Sequence, residues 1–120
     1  MTVTLSLARS CKEHEEVFRL RHDVLVDEEG YLSAQSDGRV FDEFDAKPGV
    51  GTVIARVDGM LVGSARVMKR GEGGTAAERY FDFGPYLRGQ EILGSANFLV
   101  VRRAYRHIPG LTLSLVSFCY

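Results

Sequence analysis

The sequence has few of the features that mark secreted, metal-binding or membrane proteins. Its two cysteines have neither the spacing of a metal site nor the pattern of a disulfide framework. No stretch approaches the roughly 18 apolar residues of a membrane span. The first ten residues lack the basic and apolar regions of a signal peptide. These absences favour a protein of the reducing cytoplasm that has no metal site.

An excess of charge of either sign is also absent. The chain has 15 Lys and Arg against 16 Asp and Glu, for a formal net charge of -1. This balance gives no signal for binding to nucleic acid or a membrane surface, so an anionic partner would have to meet a local basic patch. The glycine-rich segment 70–75 does not lead into Gly-Lys-Ser/Thr, which excludes a phosphate-binding P-loop.

The length of 120 residues predicts one domain at most, and a 45% hydrophobic content is typical of a folded one. We find no repeat or linker that would divide it. The last eight residues, Leu113 to Tyr120, are apolar and uncapped, whereas chains usually end in polar sequence. We therefore expect residues 1–120 to form a single, incomplete domain, or one that a partner covers.

Hydrophobic patterning predicts an α/β fold with a mixed sheet and flanking helices. The predicted order is strand, helix, hairpin, aromatic element, central strand, turn and helix. Ser10 and Glu13 form a capping-box pattern, so the first helix should begin there and run to about Glu29 before Gly30. The elements that follow are the hairpin strands Gly51–Val57 and Met60–Met68 around Asp58-Gly59, the buried strand Ser95–Val101 and a helix from about Leu111.

Two arginines fall where a charge is unexpected. Arg21 lies within the apolar arc of the first helix, where it either extends to solvent or is buried and needs a carboxylate. The hairpin register places Arg66 across from Gly51, either as an exposed edge residue or as part of a site. The acids Asp42, Glu43 and Asp45 either form a solvated turn or pair with a cation. Arg21 is the obvious candidate because it has no other acid nearby.

Two later segments suggest ligand binding. The aromatic segment Ala76–Leu87, which contains Phe81 and Phe83, would fill a core or line a ligand chamber. The turn after the central strand carries Arg102, Arg103, Arg106 and Gly110. A helix N-terminus at the carboxyl end of a strand suits phosphate or pyrophosphate, although a basic surface turn is the plain alternative.

The segment from Phe18 to Val26, followed by Tyr31, resembles the start of the N-acyl-homoserine lactone synthases and the related N-acyl amino acid synthases of the GNAT superfamily. That group has an Arg and an aromatic or aliphatic residue on the first helix. An aromatic residue, an Asp-x-x-Asp and an Arg on a strand follow. The matching residues here are Arg21, Leu25, Tyr31, Asp42, Asp45 and Arg66.

The resemblance favours the amino acid branch. Lactone synthases carry a Glu-x-x-Arg where this chain has Ser95 and Phe98. The segment from Tyr105 to Thr112 resembles, with one extra residue, the loop that cradles the CoA pyrophosphate. The resemblance also implies a longer chain, in which a further strand would hold the pantetheine arm.

The resemblance implies an enzyme that moves a fatty-acyl group from an acyl carrier protein or CoA thioester to an amino-acid-type amine. A small-group acetyltransferase using acetyl-CoA and a truncated, non-catalytic remnant are the alternatives. Lys69, Arg70, Arg102, Arg103 and Arg106 would dock an acidic carrier protein. The site residues expected are Arg21, Asp42, Asp45 and Arg66 for catalysis, Val100, Val101, Arg102, Arg106 and Gly110 for acyl-CoA or acyl-phosphopantetheine, and Tyr31, Phe81 and Phe83 for the substrate.

Overall fold

The computed structural model describes residues 1–47, 49–69 and 94–118. Its four strands form one sheet in the order β1-β2-β3-β4. The strands are β1 (Val3–Leu7), β2 (Val50–Val57), β3 (Met60–Lys69) and β4 (Gly94–Val101), and the two α-helices are α1 (Cys11–His22) and α2 (Leu111–Phe118). Short 3₁₀ turns cover Glu43–Ala46 and Arg103–Tyr105. None of the described helices is both long and apolar enough to cross a bilayer.

The α/β fold is confirmed, but the expected mixed sheet is corrected, because every described strand pair is antiparallel. A parallel pair would need a crossover that ends at the opposite end of the sheet. Here the segment 31–47 instead runs back along α1, and the Val40 N–H donates to the Phe18 carbonyl at 3.0 Å. The chain therefore enters β2 beside the end of β1, where Leu7 pairs with Val53.

The first helix begins with the predicted capping box, since the Glu13 N–H donates to the Ser10 side chain and the Ser10 N–H to the Glu13 carboxylate. Helical winding continues to Glu28, but residues Asp23–Glu28 form a π-helix. Gly30 then takes a φ of +67°, a conformation that favours glycine. The predicted extent is confirmed, with a wider final turn than an α-helix would have.

Both faces of the sheet carry a core. The layer beneath α1 contains Val17, Leu20, Val24, Ile54, Leu61 and Val100. The layer beneath α2 contains Val53, Ala55, Val57, Val62, Val101, Ile108, Leu111 and Leu115. Close approach of α2 depends on Gly63, because a Cβ there would lie 2.9 Å from Leu115 Cδ1. The result is a helix–sheet–helix sandwich.

Irregularities in β3 and β4 change the predicted register. Arg66 pairs with Thr52 rather than with Gly51, because a bulge beside Ala55 and Arg56 inserts one extra residue in β3. A second bulge lies in β4, where the register steps from Ser64–Val100 to Arg66–Asn97.

This second irregularity, the β4 bulge, consists of Phe98 and Leu99. Both lie opposite the single residue Ala65, and neither has a register partner on β3. Phe98 has a φ of +50°, in the left-handed region that a bulky side chain rarely adopts. The bulge therefore interrupts β4 in the middle of its length.

Candidate active site

The four residues predicted to be catalytic lie together in one network, which we call the charge cluster: Arg21, Asp42, Asp45 and Arg66. Arg21 Nη1 donates to both Asp45 carboxylate oxygens at 3.0 Å. Arg66 donates to the two Asp42 oxygens at 2.5 and 3.1 Å, and its Nη1 lies 3.3 Å from Asp45 Oδ2. Arg21 is 0% exposed and Arg66 1% exposed, so the solvent-exposed alternatives for both are wrong.

The acidic half of the cluster is held by its own backbone. Asp42 caps the 3₁₀ turn by accepting from the Phe44 N–H at 2.9 Å, and Asp45 accepts from the Asp42 N–H at 2.9 Å. These bonds form a capping box, so both carboxylates are oriented by hydrogen bonds within the turn as well as by the arginines. The DEFD segment is therefore a paired turn and not a solvated one.

The basic half of the cluster meets the β4 bulge. The Phe98 ring contacts both guanidinium groups, with its centroid 4.4 Å from Arg21 Cζ and 4.6 Å from Arg66 Cζ. Arg66 Nε also donates to the side chain of Asn97 at 2.8 Å. The cluster thus contacts two successive residues of β4.

The electrostatics favour a scaffold over a proton relay. Burial lowers the pKa of Arg21, and the Asp45 carboxylate opposes that effect. Burial by itself would raise the pKa of Asp42, but the hydrogen bond and charge of Arg66 outweigh it and lower that pKa. A carboxylate with a lowered pKa is a weak base at neutral pH, and an arginine does not deprotonate.

A pocket of about 290 Å³, the strand pocket, lies against the second half of β4. Four predicted ligand residues line it: Tyr31, Val100, Val101 and Arg106. Arg106 is oriented by its bonds to the Val101 carbonyl at 2.9 Å and to Glu29 at 2.7 Å. The other lining residues are Val24, Leu25, Glu29, Leu99 and Thr112.

The remaining predicted ligand residues are less close to this pocket. Arg102 is directed to the Leu61 carbonyl at 3.2 Å and to Asp23 at 3.1 Å. Gly110, with a φ of +76°, immediately precedes α2 and has open space where a Cβ would lie. Phe81, Phe83 and Arg70 lie outside the described residues, as does the side chain of Lys69.

Two further pockets were not predicted from the sequence. The loop pocket, of about 390 Å³, is lined by Leu32, Ser33, Gln35, Asp37, Arg39, Val40, Phe41 and Phe98. The acidic pocket, of about 470 Å³, is lined by His14, Phe18, Phe41, Asp42, Glu43, Asp45 and Ala46. The sequence of the polar segment 31–38 predicts only an ordinary loop. In the structure this segment lines the loop pocket, because it returns along α1.

The described residues include one group of potential metal ligands, His22, Asp23 and Asp27. The His22 Nε2 already accepts the Gln35 N–H at 3.1 Å, so the proton of the neutral ring is on Nδ1, 3.9 Å from Asp27. A metal needs a nitrogen lone pair, and neither nitrogen offers one in this arrangement. The geometry favours a structural histidine that holds the 31–38 segment.

Comparison with known proteins identifies the family. The profile of a family described as N-acyl amino acid synthase FeeM matches residues 16–120. The chain belongs to this family. No curated protein sequence matches the chain.

The solved structures agree on the fold of this FeeM-family chain. The structure of FeeM, an N-acyl amino acid synthase from uncultured soil microbes, superposes with a TM-score of 0.74 at 13% identity. The match covers 98% of this chain but only 62% of that one, so the chain spans less than two thirds of FeeM.

Two acetyltransferases show the same GNAT fold. The ribosomal-protein-alanine N-acetyltransferase of Brucella melitensis biovar Abortus 2308 matches with a TM-score of 0.61 at 18% identity, over 98% of this chain and 69% of that one. The glucosamine-6-phosphate N-acetyltransferase of Arabidopsis thaliana matches with a TM-score of 0.60 at 16% identity, over 99% of this chain and 72% of that one. At these identities the likeness shows the fold alone.

Replacement of Arg21 by alanine tests the buried pair. Arg21→Ala removes the main partner of Asp45 and leaves that carboxylate less well compensated. We expect the free energy of unfolding in denaturant to fall by about 3–5 kcal/mol. Arg19→Ala is the control, because Arg19 is an exposed partner of Glu15 on the same helix and should cost less than about 1 kcal/mol. A loss for Arg21→Ala as small as that of the control would contradict the assignment.

Acid titration tests the Asp42–Arg66 pair. Because the folded-state pKa of Asp42 is below its ordinary value of 3.8, the ionised form stabilises the fold above that pH. This stabilisation is lost as the pH falls below 3.8 through the folded-state value. Asp42→Asn should therefore lower stability at neutral pH and flatten the decline in unfolding free energy below about pH 4. Equal acid slopes for the two proteins would show that the pair does not stabilise the carboxylate.

Proposed function

We propose that the protein is an N-acyltransferase that moves a fatty-acyl group from an acyl thioester to an amino-acid-type amine. The main support is the FeeM family match over residues 16–120. The arrangement of the strand pocket, the β4 bulge and the charge cluster is consistent with it. CoA and acyl carrier protein are the two candidate carriers, since both present the thioester on a phosphopantetheine arm.

The reaction requires few chemical groups. The amine nitrogen attacks the thioester carbonyl, a tetrahedral oxyanion forms, the C–S bond breaks, and the thiol leaves with the proton that the amine loses. The enzyme must hold both partners at attack distance and supply hydrogen-bond donors to the oxyanion. We assign this role to backbone N–H groups of the β4 bulge, because the bulge interrupts the regular pairing of Phe98 and Leu99 with β3.

The strand pocket is our candidate for the pantetheine arm. Its walls are mainly apolar, with Leu25, Leu99 and Val100 among them, and they also include Arg106 and, at the α2 end, Thr112. The N-terminus of α2 follows Gly110 and presents free backbone N–H groups to an anion. The pyrophosphate of CoA, or the single phosphate of a carrier-protein arm, would therefore lie at this end.

The acidic pocket is our candidate for the acceptor's ammonium group. Three acidic residues lie in its wall beside the rings of Phe18 and Phe41. Carboxylates and aromatic faces both attract a cation. In this assignment Asp42 and Asp45 contribute negative potential while they remain paired with the arginines. Water accepts the first proton, which the ammonium must lose before its nitrogen can attack, and the leaving thiol takes the second.

A carrier-protein donor has support from the turn after β4. Arg103 and Arg106 are 63% and 41% exposed at their side chains and lie close together around Glu29. Acidic carrier proteins are steered by basic surfaces of this kind. The acetyltransferase likeness of the fold favours acetyl-CoA as the second candidate donor, and the two differ in the acyl length they would accept.

Transfer assays on the protein expressed from its complete gene test this proposal. Long-chain acyl-CoA, long-chain acyl carrier protein and acetyl-CoA would each be offered with a panel of amino acids, and amide products would be measured by mass spectrometry. We expect long-chain amides. Acetyl transfer without long-chain transfer would replace the proposal by its second candidate, and no turnover with any donor would remove both.

Arg106→Ala tests the proposed donor site in the same assay. It should raise the KM for the acyl donor by roughly tenfold, the effect of losing one charge-assisted contact of about 1.5 kcal/mol. Arg19→Ala, on the exposed side of α1, should leave both kcat and KM unchanged.

A further inference from the structure

Phe98 combines two features that are unusual in a strand residue. It has a left-handed backbone with a φ of +50°, although it is neither glycine nor asparagine. Its ring also lies within 4.4 and 4.6 Å of two guanidinium carbons. A conformation of this kind persists only when the surroundings hold it in place.

Arg21 is a strong candidate for holding it. Its Nε and Nη2 are buried and have no hydrogen-bond partner within the described part of the chain. Asp45 and the Val40 carbonyl use only Nη1. Ion pairing therefore does not fully compensate the burial of this group. The guanidinium carbon, however, lies over the Phe98 ring at 4.4 Å from its centroid. A planar guanidinium can stack on such a ring, and a lysine ammonium cannot.

Arg66 also contacts the Phe98 ring, from the neighbouring strand β3. Besides this contact, it donates to the side chain of Asn97 at 2.8 Å. Asn97 and Phe98 are thus anchored to the charge cluster, while the next two residues, Leu99 and Val100, line the strand pocket. Along β4, the bulge therefore joins residues that contact the charge cluster to residues that line the strand pocket, where we propose that the thioester binds.

We propose that Phe98 is a positioning residue, through whose ring the charge cluster fixes the β4 bulge so that its backbone N–H groups face the acyl carbonyl. This inference rests on the proposed function. It assigns Arg21 to the support of the bulge and not to contact with the substrate. It also makes an aromatic ring at position 98 a requirement for the rate of transfer.

The kinetic test compares Phe98→Ala, Phe98→Tyr, Arg21→Lys and the double variant Arg21→Lys/Phe98→Ala in the protein expressed from its complete gene. Lysine keeps a charge for Asp45 but has no planar face. We expect Phe98→Ala to lower kcat on the order of 100-fold, as a displacement of about 1 Å does in other enzymes. The KM for the donor should change little, and Phe98→Tyr should retain most of the rate.

The double variant decides between indirect and direct action of Arg21. If Arg21 acts through the ring, Arg21→Lys has no further effect once the ring is gone, so the double variant matches Phe98→Ala. Losses that multiply would show that Arg21 acts on the substrate independently and would overturn the proposal. A Phe98→Ala protein with full kcat would also overturn it.

Hydrogen exchange provides a readout that does not depend on turnover. Amides 97–101 should exchange faster in both Phe98→Ala and Arg21→Lys, while amides 53–57 of β2 stay at the wild-type rate. If the wild-type protein shows no transfer, the proposed function fails, but hydrogen exchange still tests whether the charge cluster supports the β4 bulge through the Phe98 ring. Unchanged exchange at amides 97–101 in both variants would show that it does not.

Phe98→Leu covers the case in which the alanine variant does not fold. Leucine keeps most of the apolar volume but has no aromatic face for the guanidinium groups. We expect Phe98→Leu to lose kcat as the alanine variant does. A rate close to that of Phe98→Tyr would show that volume alone suffices and would overturn the proposal.

Discussion

Two buried guanidinium groups, two carboxylates and one aromatic ring connect most of the described structure. Arg21 comes from α1, Arg66 from β3, the carboxylates from the 3₁₀ turn and Phe98 from β4. Removing charges from water is costly, and only close pairing offsets the cost. The ion pairs, with distances near 3 Å, therefore join α1, the 3₁₀ turn and β3, and the ring contacts of Phe98 add β4. Without this constraint, the turn and the β4 bulge would lose the ion pairs and ring contacts that link them to α1.

The cluster also explains why pockets gather around the middle of β4. The segment 31–47 has to return along α1 to bring Asp42 and Asp45 to the arginines, and its residues then line the loop pocket. Consecutive residues then line different pockets, with Phe98 in the loop pocket and Leu99 in the strand pocket. The strand pocket, our proposed donor site, thus begins one residue after Phe98, and the acidic pocket, our proposed acceptor site, includes Asp42 and Asp45 of the charge cluster.

Local sequence patterns predicted the parts of the structure that depend on local chemistry. The Ser10–Glu13 cap, the Asp58-Gly59 hairpin and the stop at Gly30 follow from short-range hydrogen bonding and backbone preference. The Arg21–Asp45 pair was also predictable, because an arginine in an apolar arc needs an acid and three acids follow it. The family resemblance added Arg66 to the same group.

Features that depend on packing between distant segments were not predictable. Alternation of apolar residues does not mark a bulge, so Arg66 was paired with Gly51 and not with Thr52. An aromatic residue in an apolar run indicates a buried strand, and nothing local shows that Phe98 would take a left-handed backbone. Arg102 was expected at the donor site because it adds positive charge to the turn after β4, and nothing local shows that it also bonds to Asp23, 79 positions away.

The account places the acyl carbonyl at the β4 bulge and the charge cluster behind it. The most direct measurement is a crystal structure of the protein, expressed from its complete gene, with an acyl-CoA analogue in which a methylene replaces the thioester sulfur. We predict that the ketone oxygen accepts a backbone N–H from residues 98–100 at roughly 3 Å. An oxygen bound instead by the Arg21 or Arg66 guanidinium, or an acyl group outside the strand pocket, would contradict the account.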